Sequence, residues 1–194
     1  AFALWDENKQ QLFCARDRFG EKPLYYTTGK NGEFIFASEI KAILASGLAN
    51  TEINHDALSH YLQYGYVSTY QSIYKNIHSL PPAHQLIWKD GTIEVSRYYS
   101  LPKKDRQISL SDAKEEFVYL LKNAVEKQLI ADVEVGSFLS GGLDSSSIVA
   151  MVNEFLPNQT TISFGYDHED SELKSAGEIA ERYGTKHVEI HARK

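Results

Sequence analysis

The segment from Val133 to Ser147 constrains the fold more than any other stretch of the sequence. It reads VEVGSFLSGGLDSSS: an apolar run that ends at Leu139, a glycine-rich turn, and the polar start of a helix. We expect a short buried strand, a tight turn and then a helix. Adjacent glycines permit unusual backbone angles and the close approach of a ligand. A helix start presents unpaired N–H groups and a positive dipole end, so the segment predicts an anion-binding turn.

The turn carries hydroxyls that suit phosphate, from Ser140, Ser145 and Ser146. The carboxylate of Asp144 would repel phosphate, so it serves either as a helix cap or as a ligand for Mg²⁺ that bridges to phosphates. The alternative to an anion-binding role is an ordinary glycine turn before a capped helix. The sequence contains no G-x-x-x-x-G-K-[ST] motif, and neither G-x-G-x-x-G nor G-x-S-x-G occurs at this strand.

The front of the chain predicts antiparallel sheet, and the back predicts parallel sheet. Short β-rich runs up to about residue 48 are separated by tight turns, and Asn31-Gly32 and Asp90-Gly91 are hairpin signals. From Ser111 onward, helices alternate with strands, which is typical of a parallel α/β sheet. Further predicted elements are helices at 38–44, 54–65 (capped by Asn54), 111–131, 144–155 and 172–183, strands at 160–165 and 186–190, and a linker at Leu101–Gln107.

Composition narrows the function classes. The net charge is -6 and no basic run occurs, so we expect neither nucleic acid nor an anionic membrane as a partner. No segment of this sequence approaches transmembrane length, and we expect no signal peptide. The single cysteine, Cys14, excludes an internal disulfide and indicates a reducing compartment, the cytoplasm. It lies within a strand pattern and is expected to be a small buried residue.

The two ends suggest a piece of a longer protein. The first residues, Ala1 to Trp5, already form an apolar strand pattern, and the last predicted strand lacks a covering helix. We therefore expect a fragment that lacks both ends.

With these residues in view, Ser140-Gly141-Gly142-Leu143-Asp144-Ser145 resembles the pyrophosphate loop of the ATP pyrophosphatases, or PP-loop enzymes. Along nearly its whole length the chain is similar to glutamine-dependent asparagine synthetase. The stretches that carry this resemblance are Ala1–Asp6, Ala15–Gly20, Lys22–Tyr26, Phe36–Ala42, Leu80–Pro82 and Arg97–Tyr99.

The resemblance implies an α/β chain in three segments. Residues 1–60 would be the C-terminal part of an antiparallel N-terminal-nucleophile glutaminase (class II amidotransferase) domain. Residues 61–107 would be a connecting β hairpin and linker. Residues 108–194 would be the N-terminal part of a parallel-sheet PP-loop domain, similar to the adenine nucleotide α-hydrolases.

The resemblance also implies a reaction. Glutamine is hydrolysed in one domain, ammonia passes to the other, and aspartate is activated by ATP and Mg²⁺ as β-aspartyl-AMP. Asparagine, AMP and pyrophosphate are the products, the substrates are small molecules, and a homodimer of the full-length protein is left open. The family's sites fall on Ser140, Gly141, Gly142, Asp144, Ser145 and Ser146 for pyrophosphate, on Leu139 and Phe164 for the nucleotide, and on Asp144 and Glu172 for the metal.

Several positions depart from the family's pattern. Glu134 stands where Pro is common, Gln128 where Arg is usual, and Ala83 where Gly often follows the two prolines. The family's N-terminal Cys nucleophile is absent, Cys14 is no substitute, and the aspartate-binding half is missing. The fragment alone should therefore be inactive. A ligase for another carboxylate, of the β-lactam synthetase type, and a non-catalytic nucleotide-binding module are the alternatives.

Two clusters lie outside these motifs. His187 and His191 are four residues apart, but they alternate with Val188 and Ile190 as in a strand, so a metal site is not expected there. Residues 16–18, Arg-Asp-Arg, form either a domain-interface patch or a salt-bridged turn.

Overall fold

The computed structural model describes residues 1–68, 70–102, 106–166 and 171–192. The chain divides into two compact units, residues 1–104 and 105–194, called here the N-terminal unit and the C-terminal unit. The predicted linker, Leu101–Gln107, spans this division, but residues 103–105 within it lie outside the described residues. Among the helices of the described ranges, none has the length and apolar character needed to cross a membrane.

The N-terminal unit contains two antiparallel sheets, as the sequence predicted. Their strand orders are β1-β2-β6-β7 and β4-β3-β5. The elements are β1 (Phe2–Asp6), β2 (Gln11–Ala15), β3 (Tyr25–Thr28), β4 (Phe34–Ala37), α1 (Ile40–Ala45), α2 (His55–Tyr64), β5 (His78–Ser79), β6 (His84–Lys89) and β7 (Thr92–Arg97). The hairpin β6–β7 pairs with β2 and so belongs to the first sheet.

Both predicted hairpins are confirmed. Asn31-Gly32 lies between β3 and β4, and Asp90-Gly91 lies between β6 and β7. Asp90 and Gly91 have φ values of 47° and 77°, in the left-handed region that a two-residue hairpin turn requires. The cap of α2 is also as predicted, because the Asn54 side chain accepts the N–H groups of Asp56 and Ala57.

The core of the N-terminal unit joins its two sheets. Cys14, Leu24, Leu80 and Leu86 are buried together, and Phe34 and Trp88 stack nearby with ring centroids 5.9 Å apart. Cys14 is thus a buried residue, as expected, and burial raises the pKa of its thiol to about 11. At neutral pH it is therefore a protonated, unreactive group.

Arg16 organises the segment that follows β2. Its guanidinium is buried and donates to backbone carbonyls around it rather than to a carboxylate. The acceptors are Lys22 O at 3.0 Å, Leu80 O at 2.7 Å, Gly20 O at 2.9 Å and Ser79 Oγ at 3.2 Å. These bonds tie residues 16–22 to the strand β5.

Asp17 accepts hydrogen bonds from backbone N–H groups of the same segment. Its carboxylate accepts the N–H groups of Phe19, Glu21 and Lys22 at 3.0–3.1 Å. Burial alone would raise the pKa of this carboxyl, but the backbone donors outweigh it and lower the pKa to about 2. Of the two alternatives for residues 16–18, the salt-bridged turn is therefore wrong for Arg16 and Asp17, because Arg16 bonds carbonyls and Ser79 Oγ while Asp17 bonds backbone amides.

Ala83 explains one departure from the family's pattern. Its φ is +61°, a conformation that favours glycine, and its N–H and C=O bond Asp17 O and Tyr98 N–H at 2.9 Å each. The glycine that the resemblance leads us to expect here would suit this backbone, whereas alanine accepts strain.

The C-terminal unit is a parallel three-stranded sheet of order β10-β9-β8, as predicted. Its elements are α3 (Leu110–Gln128), β8 (Gly136–Phe138), α4 (Leu143–Phe155), β9 (Thr160–Gly165), α5 (Ser171–Tyr183) and β10 (Lys186–His191). Leu139, Val149, Ala176 and Ala180 form its buried cluster, where α4 and α5 meet the end of β8. This cluster fixes the turn between β8 and α4.

Some boundaries differ from the prediction. The helix α3 starts at Leu110 and is capped by Ser109, whose Oγ accepts the N–H of Asp112 at 3.1 Å. The helix α1 starts at Ile40, preceded by Glu39, which makes no side-chain cap. Competing hydroxyl and carboxyl groups at each start made the cap ambiguous in the sequence.

The expectation of a buried strand from Val133 to Leu139 is also wrong in part. Only Gly136–Phe138 are in the strand, which lies at one end of the strand order described here. Phe138 is 82% exposed, and Glu134 is exposed before the strand begins. The Glu134 carboxylate therefore lies in solvent rather than at the mouth of a buried strand.

Candidate active site

The site is built where β8 ends and α4 begins. The Leu139 N–H donates to Ile162 O at 2.9 Å, which extends the parallel ladder by one residue beyond β8. Ser140-Gly141-Gly142 then turn the chain into α4, with Gly142 as its N-terminal cap residue. The first N–H groups of α4 have no acceptor within the helix and lie at the positive end of its dipole. This is the predicted strand–turn–helix arrangement.

Gly141 is required by the fold rather than by a ligand. Its φ is +74°, and a Cβ there would lie 2.6 Å from Ser175 Cβ and 2.7 Å from Ala176 N. The turn thus packs directly on the backbone of α5. Gly142 differs, because its φ is -71° and its nearest neighbour to an added Cβ is Ser140 Oγ at 3.3 Å. Of the two glycines, Gly142 is the one whose missing Cβ leaves room for a ligand.

The hydroxyls of Ser140 and Ser145 close the turn on itself. The Ser140 N–H donates to Ser145 Oγ at 3.2 Å, and the two hydroxyl oxygens are 3.0 Å apart. Ser145 Oγ also donates to Gly142 O at 3.2 Å, and the Gly142 N–H reaches Ser140 Oγ at 3.4 Å. A phosphate that entered this turn would exchange these long bonds for charge-assisted ones.

Ser146 is not brought together with the other predicted phosphate ligands. Its N–H donates to Gly142 O at 3.0 Å as part of α4. Its Oγ is buried and finds no hydrogen-bond partner in the part of the chain that the structure describes. Position alone suggested a role for Ser146, and the helical rotation turns its side chain inward.

Asp144 and Glu172 lie in the first turns of α4 and α5, and both are exposed. Because Gly142 is the cap of α4, the helix-cap interpretation of Asp144 is wrong, whereas a role as a metal ligand is left open. No group of three His, Cys, Asp or Glu side chains is placed to hold a metal ion within the described ranges. Mg²⁺ commonly needs only one or two protein carboxylates beside substrate phosphates, so the oxygen donors present suit it.

A cleft of about 230 Å³ opens beside the turn. Leu139 and Phe164, both predicted to contact a nucleotide, lie in its wall, although Leu139 is only 2% exposed and Phe164 is 54% exposed. The lining residues are Phe138, Leu139, Ser140, Ser145, Ile162, Ser163, Phe164, Glu172 and Leu173. An apolar wall next to hydroxyls and helix N–H groups suits a molecule that is apolar at one end and anionic at the other.

The backbone of Phe164 faces this cleft. Ile162 O accepts from Leu139 just beyond β8, whereas Gly165 O accepts from Ala192 beyond β10. Because alternate residues of a strand direct their N–H and C=O groups to opposite neighbours, Phe164 presents its own toward the side of β8. The strand β8 has already ended there, so these groups lie beyond its last residue.

Ser163 is a site residue that the sequence interpretation missed. It is 3% exposed, and its hydroxyl donates to the Leu139 carbonyl at the start of the turn. Strand alternation contains the signal, because the neighbour of an outward-facing Phe164 must face inward. A serine at such an inward position needs a partner, and the nearest turn supplies one.

His187 and His191 are in β10, as predicted, with Glu189 between them. The Glu189 carboxylate oxygens lie 3.7 Å from His187 Nε2 and 3.4 Å from His191 Nε2. The Nδ1 of His187 is 3.0 Å from Thr161 Oγ1. The two imidazoles thus flank a carboxylate along one strand.

Two family models match the chain, one on each side of the division. Residues 1–99 match the glutamine amidotransferase domain, and residues 116–194 match asparagine synthase. The molecule is therefore of a two-part class, in which a glutamine amidotransferase domain precedes an asparagine synthase domain.

Curated relatives are similar in sequence to this chain over most of its length. A putative asparagine synthetase (glutamine-hydrolyzing) 2 of Methanocaldococcus jannaschii is 38% identical over 193 residues, covering 96% of this chain and 37% of that protein. Asparagine synthetase (glutamine-hydrolyzing) 3 of Bacillus subtilis is 34% identical over 204 residues, covering 96% and 33%. Amidase chry2 of Gibberella zeae is 35% identical over 167 residues, covering 84% and 24%.

The chain belongs to the glutamine amidotransferase domain family over its first 99 residues, and over nearly its whole length it is similar to glutamine-hydrolysing asparagine synthetases. It spans about a third of the length of the asparagine synthetases that it matches.

Proposed function

We propose that the full-length protein makes asparagine from aspartate, with ammonia from glutamine and energy from ATP. The reaction would proceed through β-aspartyl-AMP and release AMP and pyrophosphate. The observation that carries this proposal is the Ser-Gly-Gly-Leu-Asp-Ser turn between the end of a parallel strand and a helix start, in a chain of this family. Small molecules would be its partners, and the single buried thiol of Cys14 suits a cytoplasmic enzyme.

The proposed domain roles follow the same division. Residues 1–60 would complete an N-terminal-nucleophile glutaminase domain, residues 61–107 would connect, and residues 108–194 would begin a PP-loop domain. The antiparallel sheets of the first unit and the parallel sheet of the second support this assignment. Because β6 pairs with β2, the proposed connecting segment shares one antiparallel sheet with the proposed glutaminase segment.

The proposed pyrophosphate ligands are the backbone and hydroxyl donors of the turn, namely Ser140, Gly141, Gly142 and Ser145. Ser146 could join them only through a rotation of its buried side chain. Phe164 would bind adenine through the backbone N–H and C=O that lie beyond the end of β8. Leu139 would contact the nucleotide from the wall of the cleft, where its side chain is almost fully buried and its N–H and C=O are already bonded to β9.

Asp144 and Glu172 would hold Mg²⁺, each through a carboxylate in a first helical turn beside the phosphate site. When bound, the ion supplies positive charge that stabilises the phosphate oxygens. Asp144 makes little sense beside phosphate without such a cation, because its own charge would oppose binding.

The chemistry needed from this chain is electrostatic. Attack of the aspartate carboxylate on the α-phosphate breaks the bond to the β-phosphate and leaves pyrophosphate with several negative charges. Fixed N–H and hydroxyl donors aimed at that charge lower the barrier, and no nucleophilic side chain is required. The turn has no lysine of the Walker type, which favours cleavage at the α-phosphate over transfer of the γ-phosphate.

A ligase for another carboxylate is the second candidate. Relatives named as amidases match the chain at 35% identity over 167 residues, so the fold serves more than one named activity. The third candidate, a non-catalytic nucleotide-binding module, would bind ATP without cleaving it.

An assay of the full-length protein separates these candidates. With MgATP, aspartate, and either glutamine or ammonium, we expect AMP and pyrophosphate whose formation depends on aspartate. Pyrophosphate release that needs a different carboxylate would favour the second candidate. Formation of ADP, or no turnover, would overturn the proposal.

Asp144→Ala tests the metal assignment in the same assay. We expect pyrophosphate release to fall at least about a thousandfold, because removal of a charge-stabilising group in an active site costs several kcal/mol. Asp132→Ala is the matched control, since Asp132 is also exposed but precedes β8. Retained activity in Asp144→Ala would remove Asp144 from the site.

A further inference from the structure

We propose that Ser163 is a positioning residue that aims the first phosphate donor of the turn, the Ser140 N–H. This inference deepens the proposed function, on which its kinetic consequences rest. Ser163 does not face a phosphate itself, because its hydroxyl donates to the Leu139 carbonyl. It would act through the peptide bond that joins Leu139 to Ser140.

The residue Leu139 is held from three directions. Its N–H donates to Ile162 O at 2.9 Å, its carbonyl accepts from Ser163 Oγ, and its side chain is buried against Val149 and Ala176. The strand β8 ends one residue earlier. Leu139 is thus the last residue tied to the sheet before the chain turns.

The planarity of the peptide bond carries this restraint forward. The Leu139 carbonyl and the Ser140 N–H belong to one rigid plane, so fixing the direction of the oxygen fixes the direction of the N–H. That N–H points toward Ser145 Oγ at 3.2 Å, across the mouth of the turn. If the carbonyl were released, this plane could rotate and the first donor would lose its aim.

The hydrogen bond from Ser163 Oγ to the Leu139 carbonyl, called here the Ser163 clamp, is strengthened by burial. Ser163 is 3% exposed, so water does not compete readily for the Leu139 carbonyl. In the regular ladder this carbonyl would accept from the Phe164 N–H, one register step further along. Occupation of the carbonyl by Ser163 Oγ leaves the Phe164 backbone to the cleft. The same bond therefore orients one donor and keeps another accessible.

Ser163→Ala and Thr161→Val in the full-length protein form a matched pair. Thr161 is also buried on β9, and its hydroxyl contacts Thr185 Oγ1 at 2.8 Å and His187 Nδ1 at 3.0 Å rather than the turn. Both variants remove one buried hydroxyl, but only Ser163→Ala releases the Leu139 carbonyl. Ser163→Thr, which keeps the hydroxyl, is the conservative rescue.

Hydrogen exchange of the backbone amides of residues 140–144 is the first measurement. We expect roughly tenfold faster exchange in Ser163→Ala, the loss of about one hydrogen bond, and no such change in Thr161→Val or Ser163→Thr. Equal exchange in Ser163→Ala and Thr161→Val would overturn the proposal. If Ser163→Ala does not fold, Ser163→Cys, with a weak donor of similar size, replaces it in the same comparison.

The second measurement is binding and turnover of ATP. For Ser163→Ala we expect the Kd of α,β-methylene-ATP and the KM for MgATP to rise about fivefold to tenfold, with kcat lowered as well. Thr161→Val should leave both near wild type, and Ser163→Thr should restore them. A failure of Ser163→Thr to restore them would count against the clamp. Absence of ATP cleavage by the wild type would overturn the proposed function alone, because the exchange comparison still decides the role of Ser163.

Discussion

The turns at residues 16–22 and 139–145 differ in which groups bond their backbone and in whether donors are left for a ligand. In the first, the charged side chains of Arg16 and Asp17 bond backbone carbonyls and amides of their own segment, and Arg16 also bonds Leu80 O and Ser79 Oγ outside it. In the second, neutral hydroxyls make long bonds across the turn, and a helix start contributes N–H groups without helical acceptors. The two charged side chains of the first turn are thus occupied by bonds within the protein, whereas the second turn keeps binding capacity for an anion.

The comparison shows where each turn is anchored. Residues 16–22 are held along their whole length, with a buried guanidinium at the centre. The second turn is held at its edges, by Ser163 on the Leu139 carbonyl and by α5 against Gly141. A site that must exchange partners can be rigid at its ends while its central donors stay exchangeable.

The largest expected effect comes from removing the guanidinium of Arg16. Arg16→Met leaves the carbonyls of Lys22, Leu80 and Gly20 without their buried donor, which should destabilise the N-terminal unit by about 3 kcal/mol or more. Urea unfolding followed by the fluorescence of Trp5 and Trp88, both in that unit, measures it.

Arg18→Met is the control for this prediction. Arg18 is exposed, and its guanidinium lies 4.6 Å from the ring centroid of Tyr99, so its loss should cost at most about 1 kcal/mol. Equal effects of the two substitutions would show that the carbonyl bonds of Arg16 contribute little, and the contrast between the two turns would fail.

The glycines of the second turn separate folding from binding. Gly141→Ala should destabilise the C-terminal unit by about 2 kcal/mol or more, because an alanine at positive φ would also collide with the backbone of α5. Gly142→Ala should fold nearly normally, since its φ is ordinary, but should weaken ATP binding by crowding the helix start. Thermal unfolding and calorimetric titration of the full-length protein measure the two effects. The reverse pattern would show that the missing Cβ of Gly141, and not that of Gly142, makes room for the ligand.

The antiparallel and parallel sheets could be predicted from the sequence because its short turn and periodicity patterns agree with the strand pairing in the structure. Hairpin dipeptides such as Asp90-Gly91 carried the antiparallel part, and alternating strands and helices carried the parallel part. The start of α3 was misplaced because several polar residues around Ser109 can each cap a helix. The exposure of Phe138 was missed because an apolar run reads the same in an inner strand and at the end of a sheet.

The site was predicted in its chain order but not in its contacts. The turn and Phe164 were identified, and they lie beside one cleft. The contact of Gly141 with α5, the inward side chain of Ser146 and the clamp by Ser163 all depend on packing between segments far apart in sequence. No local pattern encodes such distances, although strand alternation could have indicated that Ser163 faces inward.

The smallest expected effect is the pH dependence of the stability that the Asp17 carboxylate contributes, and it tests the role of charge in the first turn. The pKa of Asp17 is lowered to about 2, so its ionised form is bound more tightly in the folded state than in the unfolded chain. Its stabilising contribution is present above the ordinary carboxyl pKa of about 4 and is lost as the pH falls from about 4 to about 2.

The substitution Asp17→Asn keeps an acceptor oxygen but not the charge. We expect a lower urea midpoint than wild type near neutral pH, and a difference that shrinks toward pH 2. A difference that stays constant across this range would mean that the backbone amides of residues 19–22 bind the side chain through its shape rather than its charge.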